Sequence, residues 1–403
     1  MKKLEINQVA AIYLTFNGLF SFALAFFFAT YVPFLVEKGM NLWQINVINS
    51  FFMLFIILAE MPTGSFADRF GRHHSITISC CLLMISFLIY YFSKSFWLFV
   101  IAEIIGAIGH TFVSGAAEAW LVDSLKARDQ FYLKEKVFRQ ELISKAIGVA
   151  SGCVFGAYLG NINLCLPWLG TAFFMFIAAL FSLLFIKENY VREVVKGSST
   201  GFNKQITEAW HYGVKNKELL YVMSFGALIA LSVQALNMQW TLMFKKSYGF
   251  SSSDLGYLFV VISVAVALGG RFSKQLKRRL KNEKLLLVLP QLLTASAIII
   301  TSQVNGLVLV SGAFLMHEFG RGIFNPVKQN YMNNRIASEK RATILSLESM
   351  FTKLGAFIGL LASGFLASSL GIASTWFFSG VFLLIGVTIF YLIIKKPVSE
   401  KTP

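Results

Sequence analysis

Three ionisable side chains in one apolar segment are the residues of this sequence best suited to chemistry. His317, Glu318 and Arg321 fall within one helical turn, and spacings of three and four residues bring Arg321 next to both others. Two interpretations stay open. Glu318 and Arg321 could form an internal ion pair that only lowers the cost of burying either charge. Alternatively, Glu318 exchanges a proton, or Arg321 binds an anionic group.

Other ionisable residues inside apolar segments also indicate function, because burying them is costly. His110 and His317 carry imidazoles, which titrate near neutral pH, although a neutral packing role suits each equally well. Glu60 precedes the helix-disturbing Pro62 and is either a proton carrier or a hydrogen-bond partner of a neighbouring helix. The candidates for proton coupling are Glu60, Glu118, Glu318, His110 and His317.

The composition requires that these residues lie in a membrane protein. Of 403 residues, 56% are hydrophobic and only 14% are charged, against about 25% charged in soluble domains. The net charge of +16 would suggest nucleic-acid binding in a soluble protein. With so few charges overall, we expect the lipid bilayer as the partner and no nucleic acid.

Twelve segments are long and apolar enough to span a bilayer, which requires roughly 20 residues each. Helices are the only elements that such long apolar runs can form in lipid. We therefore predict an all-α membrane protein with spans at 8–36, 43–67, 75–93, 96–124, 136–160, 165–187, 219–244, 253–275, 284–302, 306–331, 341–369 and 372–395.

The basic residues are distributed unequally between the loops. The two termini and the even-numbered loops, together with the span ends next to them, hold 27 of the 36 basic residues, whereas the odd-numbered loops hold four. Cytoplasmic loops carry the excess of Lys and Arg. Both termini are therefore predicted to be cytoplasmic, which agrees with an even number of spans. The four residues of the odd-numbered loops are Lys38, Lys94, Lys245 and Lys246.

The two halves of the chain repeat at a fixed offset of 207 residues. His110 aligns with His317, and Glu141 with Glu348. The same offset aligns Gly115, Gly148 and Gly152 with Gly322, Gly355 and Gly359. Five identities at one offset indicate two parallel six-helix repeats, an arrangement of secondary transporters with a substrate site near the midplane.

The longest loop separates the two repeats and suggests the domain boundaries. We predict an N-terminal six-helix bundle at 1–187, a cytoplasmic linker at 188–218 and a C-terminal six-helix bundle at 219–403. Within the linker, Phe202 to Tyr212 is either an interfacial amphipathic helix or a solvated segment.

The sequence contains no pattern typical of an enzyme. Cys80, Cys81, Cys153 and Cys165 lie in apolar stretches without metal-ligand or disulfide spacing. No phosphate-binding loop of the form G-x-x-x-x-G-K-[ST] is present, which argues against ATP drive within this chain. We expect no catalytic residue, no metal and no cofactor.

The loop after the second span contains the most specific motif. Residues 64–74 read GSFADRFGRHH. This resembles the signature loop of the major facilitator superfamily, G-x-x-x-D-R-x-G-R-[RK], with His73 in place of the usual basic residue. The resemblance implies two pseudo-symmetric six-helix bundles, with Asp68 pairing to positive charge on a neighbouring helix and the arginines bracing the cytoplasmic gate. The residues of this gating motif are Gly64, Asp68, Arg69, Gly71 and Arg72.

The resemblance also implies that spans one, four, seven and ten line a cavity. Amides and aromatic rings could complete it, although most of the 41 phenylalanines must be packing residues. Lys353 in span eleven is the best candidate for a buried cation that needs a carboxylate. The cavity candidates are Asn17, Phe20, His110, Gln234, Asn237, Trp240, His317, Arg321 and Lys353.

A looser resemblance, through residues 60–64 and 114–119, is to a bacterial branch of multidrug and tetracycline-type exporters. We therefore expect a monomeric, multi-pass protein of the bacterial inner membrane that moves a small organic solute by alternating access. Proton-coupled efflux of an amphipathic drug-like compound or metabolite is the favoured function. One alternative is a proton-coupled porter for an anionic metabolite, amino acid or siderophore-like metal chelate. A second is a non-transporting solute receptor on the same fold.

Overall fold

The computed structural model describes residues 6–188, 215–336 and 340–393, and every long element among them is an α-helix. Twelve stretches are long and apolar enough to cross a membrane, as predicted. The segment from Phe202 to Tyr212 lies outside the described residues. The helices are α1 (Ile6–Ala25), α2 (Tyr31–Glu37), α3 (Leu42–Phe70), α4 (Arg72–Phe92), α5 (Phe96–Val113), α6 (Ala116–Lys126), α7 (Lys134–Ile162), α8 (Leu166–Phe185), α9 (Lys217–Tyr248), α10 (Ser252–Arg279), α11 (Glu283–Gln303), α12 (Leu307–Asn333), α13 (Arg341–Leu370) and α14 (Ile372–Ile393).

Two of the predicted spans are not continuous helices. Residues 26–30 form turns that divide the first span into α1 and α2. The fourth span breaks between α5 and α6, where Gly115 has a φ of 75°, a left-handed conformation that glycine adopts without steric cost. The predicted spans at 8–36 and 96–124 therefore each contain a break that a hydropathy window does not detect, because such a window measures composition and not local backbone geometry.

The chain divides into two compact units, which comprise residues 1–196 with 241–260 (unit 1) and 197–240 with 261–403 (unit 2). In unit 1, α1 packs against α7 and α8, α4 packs against α5 and α8, and α3 packs against α5. In unit 2, α11 packs against α12 and α14, and α13 packs against α14. The packing of α4 against α5 and α8 corresponds to that of α11 against α12 and α14, so the internal repeat is also present in the fold.

Glycines let the backbones of two helices touch in each unit. In unit 1, a Cβ atom added to Gly152 on α7 would overlap the carbonyl group of Phe22 in α1, and one added to Gly156 would overlap that of Phe26, the first residue after α1. In unit 2, Gly355 and Gly359 on α13 lie in the same way against backbone carbonyls of α9. Small residues permit this close approach of helices in membranes. We call these two contacts the glycine seams.

The glycine seam of unit 1 predicts the effect of adding one methyl group. Gly156→Ala should lower the free energy of unfolding by about 1–3 kcal/mol, because the new Cβ meets backbone that cannot rotate away. The control is Gly312→Ala on α12, where no atom lies within 4 Å of the added Cβ. Thermal unfolding of both purified variants checks this. Equal melting temperatures would show that the seam is not tight.

Candidate functional site

A cluster of charged and polar groups in unit 2, largely buried, lies at the centre of α12 and includes one residue of α9, Asn237. We call it the α12 cluster, and its members are Asn237, His317, Glu318 and Arg321. Nη1 of Arg321 donates to Oε1 of Glu318 and to Oδ1 of Asn237, each at 2.9 Å. The expected ion pair between Glu318 and Arg321 is therefore present. Glu318 is buried, whereas the Arg321 side chain is 28% exposed.

His317 is enclosed by protein and faces the same carboxylate. Its Nδ1 hydrogen bonds to the carbonyl oxygen of Phe314 and therefore carries a hydrogen. Its Nε2 lies 3.4 Å from Oε1 of Glu318 and makes no hydrogen bond to any described residue. In a neutral ring this Nε2 is an acceptor, and two acceptors that face each other repel. A proton on either group would turn that repulsion into attraction.

Amide and aromatic side chains of α9 extend the α12 cluster. Nδ2 of Asn237 donates to Oε1 of Gln234 at 3.4 Å. The ring centroids of Trp240 and Phe314 are 6.4 Å apart, and those of Phe314 and His317 are 4.7 Å apart. The structure thus brings five sequence-predicted residues of unit 2 together: Gln234, Asn237, His317, Glu318 and Arg321.

A second buried ion pair of unit 2 joins α12 to α13. Nζ of Lys328 lies 2.5 Å from Oε1 of Glu348, and Thr352 donates to the same oxygen at 2.8 Å. Both charged side chains are largely buried. In unit 1 the repeat-related Glu141 is also buried. It pairs with Lys145 at 2.5 Å and accepts a hydrogen bond from Tyr13 at 2.7 Å.

The signature loop forms a charge network at one end of unit 1. Gly71, with a φ of 121°, separates α3 from α4, and Arg72 begins α4. Arg72 pairs with Asp123 at the end of α6, while Asp68 is 4.0 Å away and 78% exposed. The carboxylate of Glu188 accepts hydrogen bonds from the backbone of Arg72 and His73, the first two residues of α4. Arg69 lies over the ring of Phe70.

Unit 2 has an equivalent network with its charges exchanged. Here the residue that begins α11 is the acid Glu283, and the base is Arg335, directly after α12. Arg335 pairs with Glu283 at 2.6 Å and with Glu218 of α9 at 3.0 Å. Burial alone would lower the pKa of Arg335, but the hydrogen bonds to these carboxylates outweigh burial and raise the pKa.

The other sequence-predicted residues occupy separate places. Asn17 is buried and donates to the backbone of Tyr13, and the buried ring of Phe20 packs on Phe16. His110 contacts the ring of Phe52. Of the remaining three, Glu60 and Lys353 are half-buried, and Glu118 is exposed at the start of α6.

Several charged groups stand out in the structure more than in the sequence. Lys328 and Glu348 pair across two helices, and Glu283 pairs with Arg335, just after α12. Glu103 accepts two hydrogen bonds from tyrosines in unit 1. For Glu348, the sequence offered a signal, because this residue aligns with Glu141 at the 207-residue offset. Among the described residues, no group of three or more His, Cys, Asp or Glu side chains is placed to hold a metal ion.

Twelve membrane-spanning helices in two repeats, with buried ion pairs inside them, define a polytopic membrane transporter. A sequence profile of the Major Facilitator Superfamily matches residues 14–327 and 282–403. The chain belongs to the Major Facilitator Superfamily. Its members are transporters and not enzymes.

Individual relatives agree with this assignment. The chain is 25% identical over 393 residues to an uncharacterized transporter of the superfamily from Bacillus subtilis, YxaM, covering 96% of each chain. It is 23% identical to Multidrug resistance protein 1 of the same organism, covering 83% of this chain and 82% of the relative. The crystal structure of the nucleoside transporter NupG matches the fold with a TM-score of 0.78 at 14% identity. That match covers 96% of this chain and 100% of the other.

The pair of Lys328 and Glu348 predicts strong coupling between two substitutions. Lys328→Met alone should destabilise the protein by about 3–5 kcal/mol, because it leaves a buried carboxylate without its cation. Adding Glu348→Leu should recover much of that loss. Unfolding of both single variants and the double variant gives the coupling energy, and strictly additive effects would contradict a buried pair.

Proposed function

We propose that the protein couples proton movement to the efflux of an amphipathic, drug-like compound or metabolite by alternating access. The observation that carries the proposal is the α12 cluster. There, a buried carboxylate faces both the guanidinium of Arg321 and an imidazole nitrogen that has no hydrogen bond within the described part of the chain. Ionisable groups inside spans are typical of proton relays in pumps and transporters.

A proton at this position would change the interactions of Arg321. Glu318 as a carboxylate holds Nη1 of Arg321 by a charge-assisted hydrogen bond of 2.9 Å. When the carboxyl group takes up a proton, it loses the charge that holds the guanidinium. Protonation of Glu318 and the position of Arg321 are then linked, and such a link lets a proton gradient drive a solute.

The direction of transport is proposed from the relatives. One relative that matches over more than four-fifths of both chains is named for multidrug resistance, and the absence of a phosphate-binding loop in the sequence favours a secondary transporter. We further propose a monomer in the bacterial inner membrane. The distribution of basic residues supports cytoplasmic termini, and the linker at 188–218 is proposed to join the two six-helix halves.

A second candidate is a porter for an anionic metabolite, amino acid or metal chelate. The observation that favours it is the geometry of Arg321, whose two hydrogen bonds to described residues are both made through Nη1. A guanidinium has five N–H donors, so Nε and Nη2 retain three for a ligand carboxylate or phosphate. Binding to the folded protein raises its melting temperature. A panel of lipophilic cations, organic anions, amino acids and metal chelates therefore distinguishes the two candidates.

Glu318→Gln tests the coupling role of the α12 cluster. The amide keeps the shape of the side chain but neither carries the charge nor exchanges the proton. We expect loss of proton-driven transport of the panel's best ligand in proteoliposomes, whereas exchange without a gradient persists. The control is Glu37→Gln, an exposed carboxylate at the end of α2. An unaltered pH dependence in Glu318→Gln would contradict the coupling role.

Asp68→Asn tests the gating role of the signature loop. The exposed Asp68 lies 4.0 Å from Arg72 in this state, a weak contact, so its removal should leave stability nearly unchanged. We expect transport to slow by at least tenfold if Asp68 binds a positive charge in another conformation. The control is Asp129→Asn, at a position with a φ of 56° that asparagine also tolerates. Normal transport by Asp68→Asn would exclude the gating role.

A further inference from the structure

We propose that Glu103 is a second proton-binding site, located in unit 1, and that its protonation releases the short helix α2. For its part in transport this inference rests on the proposed proton coupling. The proton binding itself is a property of unit 1 and can be measured separately.

The carboxyl group of Glu103 is held by two phenols. Tyr31, the first residue of α2, donates to Oε1 at 2.7 Å, and Tyr90 of α4 donates to the same oxygen at 2.5 Å. Glu103 itself lies on α5 and is only 7% exposed. One carboxyl oxygen therefore joins three helices. Because both phenols donate to this oxygen, both hydrogen bonds stabilise the charged form of Glu103.

Within the described part of the chain, no cation balances this carboxylate, because no Lys, Arg or His side chain comes within ion-pair distance of Glu103. The titratable groups that face it are Tyr31 from α2 and Tyr90 from α4, while α3 contributes the neutral Asn49. From α8, Trp168 stacks on Tyr90 at 4.1 Å. The surroundings are thus neutral and largely aromatic.

The other buried glutamates of the described helices provide a comparison. Glu141 pairs with Lys145, Glu318 with Arg321, and Glu348 with Lys328. Each of those charges is compensated by a base, so burial alone does not favour its protonation. An uncompensated buried charge is costly, and proteins relieve that cost by neutralising the group. Proton uptake is the available way to neutralise Glu103.

The consequence of protonation follows from where Tyr31 lies. Residues 26–30 interrupt the first span just before Tyr31, so α2 is not a continuation of α1. A neutral carboxyl group accepts hydrogen bonds more weakly than a carboxylate. Protonation of Glu103 therefore weakens the attachment of α2 to α4 and α5, and deprotonation restores it.

Infrared difference spectroscopy of the purified full-length protein in lipid nanodiscs tests the proton binding. When the pH is lowered from about 9 to about 5, the wild type should gain the band of a protonated buried carboxyl group. Glu103→Gln should lose that band. The control Glu135→Gln, an exposed residue of α7, should keep it. Identical spectra of the wild type and Glu103→Gln would overturn the proposal.

Hydrogen–deuterium exchange, corrected for the intrinsic effect of pH, tests the release of α2. Exchange in residues 31–37 should rise about tenfold at low pH in the wild type, the effect expected from losing one hydrogen bond to a charged group. It should be fast at every pH in Glu103→Gln. If that variant does not fold, Tyr31→Phe and Tyr90→Phe retain the carboxyl band and should each raise the exchange at high pH. Exchange independent of pH in the wild type would overturn the proposed release.

The two proposals fail separately. If the wild type shows the Glu103 band but transports nothing against a proton gradient, proton coupling is wrong and the binding site stands. If proton-driven transport occurs while the band persists in Glu103→Gln, the site is wrong and the coupling stands.

Discussion

A charge within an apolar helix bundle needs a partner, because neither lipid nor packed hydrocarbon replaces water around it. In unit 2, Glu318 meets Arg321 and Glu348 meets Lys328, and in unit 1 Glu141 meets Lys145. Desolvation opposes each of these pairs, so the gain in stability is small while the loss of one partner is severe. Of these pairs, only Glu348 with Lys328 joins two helices, whereas the other two pairs each lie within a single helix. Uptake of a proton by one of these carboxylates would remove its charge and so weaken its pair.

The two repeats solve this requirement with different residues at equivalent places. Glu141 takes its lysine from its own helix, whereas Glu348 takes Lys328 from α12 and uses Thr352 at the position of Lys145. The charge networks at the helix ends are exchanged in sign between Arg72 with Asp123 and Glu283 with Arg335. Duplication therefore kept the helix packing, while the polar groups diverged.

Features that depend on residues close together in the sequence could be predicted from it, whereas features that depend on distant residues could not. Span length and the spacing of Glu318 and Arg321 are local, so the twelve helices and that ion pair could be predicted. The partners of Glu103 and Lys328 lie on other helices, and only the packing decides which side chains meet. The break at Gly115 could not be predicted from the internal repeat, since the two aligned glycines have different structural roles. Gly322 lies inside a continuous helix and packs against the backbone of Val266. Identical residues thus serve a turn in one half and a helix contact in the other.

The glycine seams have a mechanical consequence. Where the backbones of α1 and α7, or of α9 and α13, touch without intervening side chains, no rotamer can change to absorb a displacement. We expect two helices joined in this way to move together as one body. Flexibility is then left to residues 27–30, beyond the backbone contact of Phe26, and to the break at Gly115. Each half is in this sense a set of rigid rods with few, defined joints.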